Sequence, residues 1–204
     1  MLSSLYSNFK DVISITSPMI FVSLIILISL RVSYLYKSKS DFVIYKEIML
    51  FFFAFYVLCL FQIVTSSDVS ISYGSNFVPF KEIFRYKLFS SMFMTNVVGN
   101  VLLFLPYGYF VGKYFSGNSK ALSFFLILLA SFSIECTQLY IGRVFDVDDI
   151  ILNVIGGVIG YILYYYSEKI FDSLPKFFKS KVFLNTVFII LFVLFMIMLA
   201  FLLL

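Results

Sequence analysis

The side chains able to do chemistry in this 204-residue chain concentrate in one stretch. Glu135 and Gln138 lie inside an apolar run, and Arg143, Asp146, Asp148 and Asp149 follow closely. Paired carboxylates beside an arginine suit proton transfer, which makes Glu135 and Asp149 the candidate general bases. Asp146, Asp148 and Asp149 are the candidate metal ligands, offering the oxygen donors that Mg²⁺ or Ca²⁺ prefer. Other chemistries are closed. The chain has no His, which removes Ser-His-Asp and Cys-His sites and every His-ligated metal. Cys59 and Cys136 each sit in an apolar run and read as small core residues. No cofactor is called for, and a divalent cation is the one option the donors leave open.

The elements that position these groups follow from composition. Hydrophobic residues make up 62% of the chain and charged residues 13%. A soluble domain of this length could not hide so much apolar surface, and a disordered chain would need the opposite balance. The fold class is therefore all-α, a polytopic integral membrane helix bundle, since lipid offers the backbone no hydrogen-bond partners. Six runs approach the roughly 20 residues a bilayer requires: 18–36, 48–64, 95–114, 121–141, 149–166 and 182–204. The first could pass for a signal peptide, but no small-residue cleavage pattern follows, and it reads as a retained helix.

Six spans put both termini on one side. That side carries Lys10, Lys81, Arg85, Lys87 and Arg143, and the other carries the remaining ten cations. The excess of positive charge marks the cytoplasmic face, so both termini, the 65–94 loop and the 142–148 loop are expected outside. The cations at 81, 85 and 87 run against that rule.

Within the spans, polar residues fall at helical spacing. Asn96 and Asn100 share one face of the third span. Ser131, Glu135 and Gln138 share one of the fourth. Asp149 and Asn153 share one of the fifth, continued by Gly156 and Gly160. All lie toward the expected outer ends, with Arg143, Asp146 and Asp148 just above. Arg143 is the nearest cation for Glu135. Such groups mark either a site or interhelical hydrogen bonding. Gly108, Gly112, Gly156 and Gly160, in two Gly-x-x-x-Gly repeats, predict close helix packing. Pro106 predicts a kink that aims Asn96 and Asn100 toward the fourth span. In the 65–94 loop, which opens on the polar run 65–68, residues 81–89 are amphipathic and predict an interfacial helix, a lid over the polar cluster that favours anionic head groups.

Four motifs in order carry a resemblance. They are Asn76-Phe77-Val78-Pro79-Phe80, Gly99-Asn100 through Pro106-Tyr107-Gly108, Glu135-Cys136-Thr137-Gln138, and Arg143-Val144-Phe145-Asp146-Val147-Asp148-Asp149 running into Asn153 and Gly156. The series resembles the VanZ-like family of bacterial membrane proteins over residues 48–166. That division leaves 1–47 as an accessory span with a cytoplasmic loop, and 167–204 as a cytoplasmic loop with a second accessory span. The resemblance implies a multi-pass protein of the bacterial cytoplasmic membrane, associated with decreased susceptibility to teicoplanin and related lipoglycopeptides. It marks Asn76, Pro79, Asn100, Pro106, Gly108, Glu135, Gln138, Arg143, Asp146, Asp148, Asp149, Asn153 and Gly156. Phe80 completes the loop motif.

Three functions compete. The first is binding of an amphiphile, a lipid-linked wall precursor or the antibiotic itself, in an outward polar pocket. The second is an intramembrane, metal-assisted enzyme acting on lipid or lipid-linked substrates. The third is a transporter or flippase subunit. Membrane lipids are the expected partners, and nucleic acid is not. Oligomeric state is left open.

Overall fold

The computed structural model describes residues 2–39, 41–66, 75–115 and 119–203. Ser67 and Asp68 of the polar run and Leu204 lie outside them. The described residues are almost wholly helical: α1 (Leu2–Ser38), α2 (Ile44–Ser66), α3 (Gly99–Phe115), α4 (Lys120–Tyr140), α5 (Val147–Ser173) and α6 (Lys181–Leu203). A π-helical turn, Phe93–Val98, leads into α3. Each of the six helices, α3 together with this turn, is long and apolar enough to cross a membrane. Exposed Phe, Leu, Ile and Val side chains along them are the surface that lipid covers.

The chain forms two compact units, 1–66 with 174–204, and 67–173. In the first, α2 packs on α1 and α6. Arg31 of α1 grips Glu47 of α2 with a two-pronged ion pair, Nε–Oε2 2.9 Å and Nη2–Oε1 3.0 Å. Asn185, which breaks the apolar run of α6, accepts the N–H of Tyr45 at 3.0 Å. That N–H belongs to the first turn of α2 and has no partner within its own helix. Phe51, Phe52 and Phe55 stack edge-on against Phe192 and Phe195.

The second unit holds α3, α4 and α5, and its most intimate pair is α3 with α5. Glycine makes that approach feasible. A Cβ on Gly108 would stand 1.8 Å from the carbonyl oxygen of Gly157. One on Gly156 would stand 2.1 Å from that of Val101, and one on Gly160 2.0 Å from that of Leu105. Gly112 leaves room for the ring of Tyr164, 2.7 Å from a Cβ position. Backbone lies on backbone along this seam. α4 closes the third side through Phe104, Val111 and Ile127, all buried. Helical geometry continues through Pro106, and the irregular turn of this span lies nearer its start, at 93–98. Cys136 is exposed on α4 and Cys59 is half-buried, so the expected core position fails for Cys136. Its neighbours Glu135 and Gln138 take the inward face of that turn.

Candidate functional site

The start of α3, the end of α4 and the start of α5 meet at one end of the second unit. Local sequence sets each in place. Gly142, at φ 87°, ends α4. Its N–H bonds to the carbonyl of Leu139 (3.1 Å), and the Arg143 N–H bonds to that of Gln138 (2.9 Å). This paired closure, with a left-handed glycine just past the helix, is the Schellman arrangement, and it folds Arg143 back over the last turn of α4. Asp146 then caps α5, its Oδ1 accepting the N–H of Asp148 at 2.9 Å. Asp148 and Asp149 fill the first turn of α5, where the helix dipole favours negative charge.

Glu135 is 1% exposed. Its Oε2 accepts the N–H of Asp146 at 3.0 Å. With the Gln138 amide oriented to satisfy both neighbours, its Nε2 donates to Glu135 Oε1 and its Oε1 accepts from Arg143 Nη1, each at 2.7 Å. Gln138 is thus a bridge between the acid and the expected cation. Asn100 Nδ2 donates to Asp149 Oδ1 at 2.6 Å, tying α3 to α5. Ser131 Oγ reaches the carbonyl of Ile150 at 3.4 Å, tying α4 to α5. Asn153 is buried one turn below Asp149.

The loop before α3 is threaded into this end. Asn76 forms an isolated parallel bridge with Asp146: its N–H bonds to the Phe145 carbonyl (2.8 Å), and its carbonyl accepts from Val147 (3.1 Å). Its side chain donates to Asp146 Oδ1 at 2.8 Å and accepts the N–H of Val78 at 3.2 Å. Phe77 stacks on Phe145 with ring centroids 5.5 Å apart. Pro79 brings no N–H that would need a partner. Asp148, 1% exposed, accepts the N–H groups of Phe80, Glu82 (2.7 Å) and Ile83 (3.2 Å). One carboxylate therefore anchors the whole turn.

Three expectations change. The Asp146, Asp148 and Asp149 carboxylates do not converge as a cation cage, because each is directed to a different partner. Among the described residues no group of three acidic or Cys side chains is arranged to hold a metal. Asn96 stays exposed and does not join Asn100. Asn96 falls inside the π turn Phe93–Val98, whereas Asn100 lies in the regular helix that follows. The segment 81–89 forms only a short 3₁₀ turn, Ile83–Arg85, in place of an interfacial helix. The N–H groups of Phe80, Glu82 and Ile83 go to Asp148, and the backbone turns extended at Tyr86, which ends the turn.

Sequence reasoning also missed a groove. Arg85, Tyr86, Lys87, Ser90, Ser91, Met92 and Asn96 line an open cavity of about 730 Å³. Arg85 pairs with Glu82 at 3.0 Å on the surface. The only signal for this groove was the run of cations against the charge rule.

The electrostatics are those of a crowded, partly dry end. Burial raises the Asp146 carboxyl above its ordinary range, and the nearby Asp148 and Glu82 charges add to this, against the N–H groups of Asp148 and Asn76. Burial also raises the Tyr86 phenol, with Glu82 and, more weakly, Asp149 and Asp146 contributing while Arg85 opposes. As a whole, the arrangement can hold a shaped polar surface at the membrane boundary.

No curated protein and no solved structure matches the chain. The family model of VanZ/LLP1 matches residues 19–172, well over half the sequence and including every residue of this polar end. The chain belongs to the VanZ/LLP1 family.

Proposed function

We propose that this protein binds an amphiphile at the outward end of α3, α4 and α5, and thereby decreases susceptibility to teicoplanin and related lipoglycopeptides. The amphiphile is a lipid-linked wall precursor or the antibiotic itself. The protein works in the bacterial cytoplasmic membrane with its termini outside. The observation that carries this reading is the convergence of Asn76, Asn100, Glu135, Gln138, Arg143, Asp146 and Asp149 at one end of one helical unit. A transport path would need polar groups through the full depth of the bilayer, and the lower halves of α3 and α5 meet as a glycine seam instead. The hydrogen-bonding of the Asp residues favours recognition over metal-assisted chemistry, since Asp148 serves the loop.

The test is a substitution series, Asn100→Ala, Glu135→Gln, Gln138→Ala, Arg143→Ala, Asp149→Asn and Asn153→Ala. It is read for lipoglycopeptide susceptibility and for the amount of protein in the membrane. Loss of protection at normal abundance is the expected result. If Glu135→Gln and Asp149→Asn proteins protect fully, the reading fails.

A further inference from the structure

The groove over Arg85–Asn96 is a separate set of side chains from the acidic cluster, and it has its own logic. It opens at the start of the span Phe93–Phe115, which places it at the level where head groups lie. Its size falls in the range of small-molecule sites, roughly 300–1,000 Å³. Two cations, Arg85 and Lys87, line it together with the hydroxyls of Tyr86, Ser90 and Ser91 and the amide of Asn96. Among the described residues no acidic side chain lines it, although Glu82 pairs with Arg85. Such an exposed surface pair is weak, so the guanidinium is readily shared with a better anion.

Hydrophobic side chains flank the cations. Phe84 is 82% exposed, Leu88 69% and Phe89 86%. The Phe89 backbone is held at φ 60°, a left-handed conformation that bulky residues avoid. The Phe80 backbone, at φ 67° and at the other end of the turn, is held likewise. Strain at both ends of a segment that shows its largest apolar groups outward points to a use for that display. In a chain whose neighbouring helix crosses the membrane, acyl chains are what covers Phe84, Leu88 and Phe89, with Arg85 and Lys87 a residue or two away at head-group height. The cations at 81, 85 and 87 also violate the charge distribution that otherwise orients the chain. A binding duty accounts for Arg85 and Lys87, the two that line the groove.

We propose that residues 84–96 form a binding site for an anionic membrane phospholipid, its phosphate held by Arg85, Lys87 and the Ser90–Ser91 hydroxyls and its acyl chains against Phe84, Leu88 and Phe89. This assignment is independent of the amphiphile bound at the acidic cluster.

The experiment uses the full-length protein purified in an uncharged detergent, with native mass spectrometry to count retained phosphatidylglycerol and phosphatidylcholine. Wild-type protein is expected to retain phosphatidylglycerol preferentially. The Arg85→Ala/Lys87→Ala double variant should weaken that retention about tenfold or more, as expected for removing two interfacial cations. Lys81→Ala, outside the groove, should leave it unchanged, and so should Glu135→Gln, which tests the other site. Equal retention of the two lipids by wild type overturns the proposal, as does undiminished phosphatidylglycerol in the double variant. Displacement of the lipid by millimolar inorganic phosphate overturns it too, by assigning the cradle to a soluble anion.

Discussion

Asp148→Asn isolates the anchor of the 76–83 turn. In the wild type, Oδ1 takes the Phe80 N–H, and Oδ2 takes those of Glu82 and Ile83. Asparagine has one acceptor oxygen in place of two. If that oxygen keeps Glu82 and Ile83, the amide nitrogen faces the Phe80 N–H, donor against donor. If it keeps Phe80, two donors are lost. The side chain is 1% exposed, so water cannot make up the deficit. A hydrogen bond to a charged acceptor contributes about 1.5–3 kcal/mol, and at least one disappears. The turn should therefore open roughly 10- to 150-fold more often. Hydrogen–deuterium exchange of a peptide spanning 76–83, in detergent or nanodiscs, reads this directly. α5 keeps its cap, because Asp146 supplies it. Exchange in α5 should hence stay near wild type while the turn speeds up. Unchanged exchange at 80–83 would refute the anchoring argument, and equal acceleration throughout α5 would show that Asp148 supports the helix as much as the loop.

Other substitutions probe other parts. Gly108→Ala must separate α3 from α5, because its Cβ would fall 1.8 Å from the Gly157 oxygen; overpacking of this kind costs about 1–3 kcal/mol and should lower the detergent melting temperature. Gln138→Leu removes the donor to Glu135 Oε1, a loss of about 1–3 kcal/mol for a buried acceptor, whereas Gln138→Ala at the same site should cost at least as much; a melting curve unchanged by Gln138→Leu would count against the bridge. Asp146 binds its proton more readily folded than unfolded, so its contribution to stability falls as pH rises from the unfolded value near 3.8 through its raised folded value. Asp146→Asn should flatten the pH dependence of the melting temperature in that window, and an unaltered slope would assign the dependence elsewhere.

The six spans were legible because lipid demands length and apolarity, and both are written locally. The glycine seam was legible too, since Gly108, Gly156 and Gly160 fall at helical spacing. The position of Asn96 was not. A single π turn changes the repeat, and nothing in Phe93–Val98 announces it. The fate of residues 81–89 was hidden for another reason. Their amphipathic pattern is real, but the backbone turns extended at Tyr86, and the N–H groups of Glu82 and Ile83 are held by a carboxylate some 66 residues later in the chain. The same distance conceals the Asn76–Asp146 bridge, a non-local pairing with no periodic signature. Residue types identified the polar end, while its wiring depended on contacts that only the fold brings together.

The seam between α3 and α5 also dictates an order of assembly. A chain entering the membrane delivers α3 first, with Gly108 and the carbonyls of Val101 and Leu105 still unmatched by any partner. Their partners, Gly156, Gly157 and Gly160, arrive about fifty residues later, after α4 has crossed and the turn at Gly142 has reversed the chain. Consecutive helices thus cannot complete this unit by pairing as they emerge. α3 must wait in the bilayer until the next-but-one helix docks along it, and only then does Asp149 come within reach of Asn100. The Asn100–Asp149 bond therefore reports that α3 and α5 have met, with α6 still to follow in the chain.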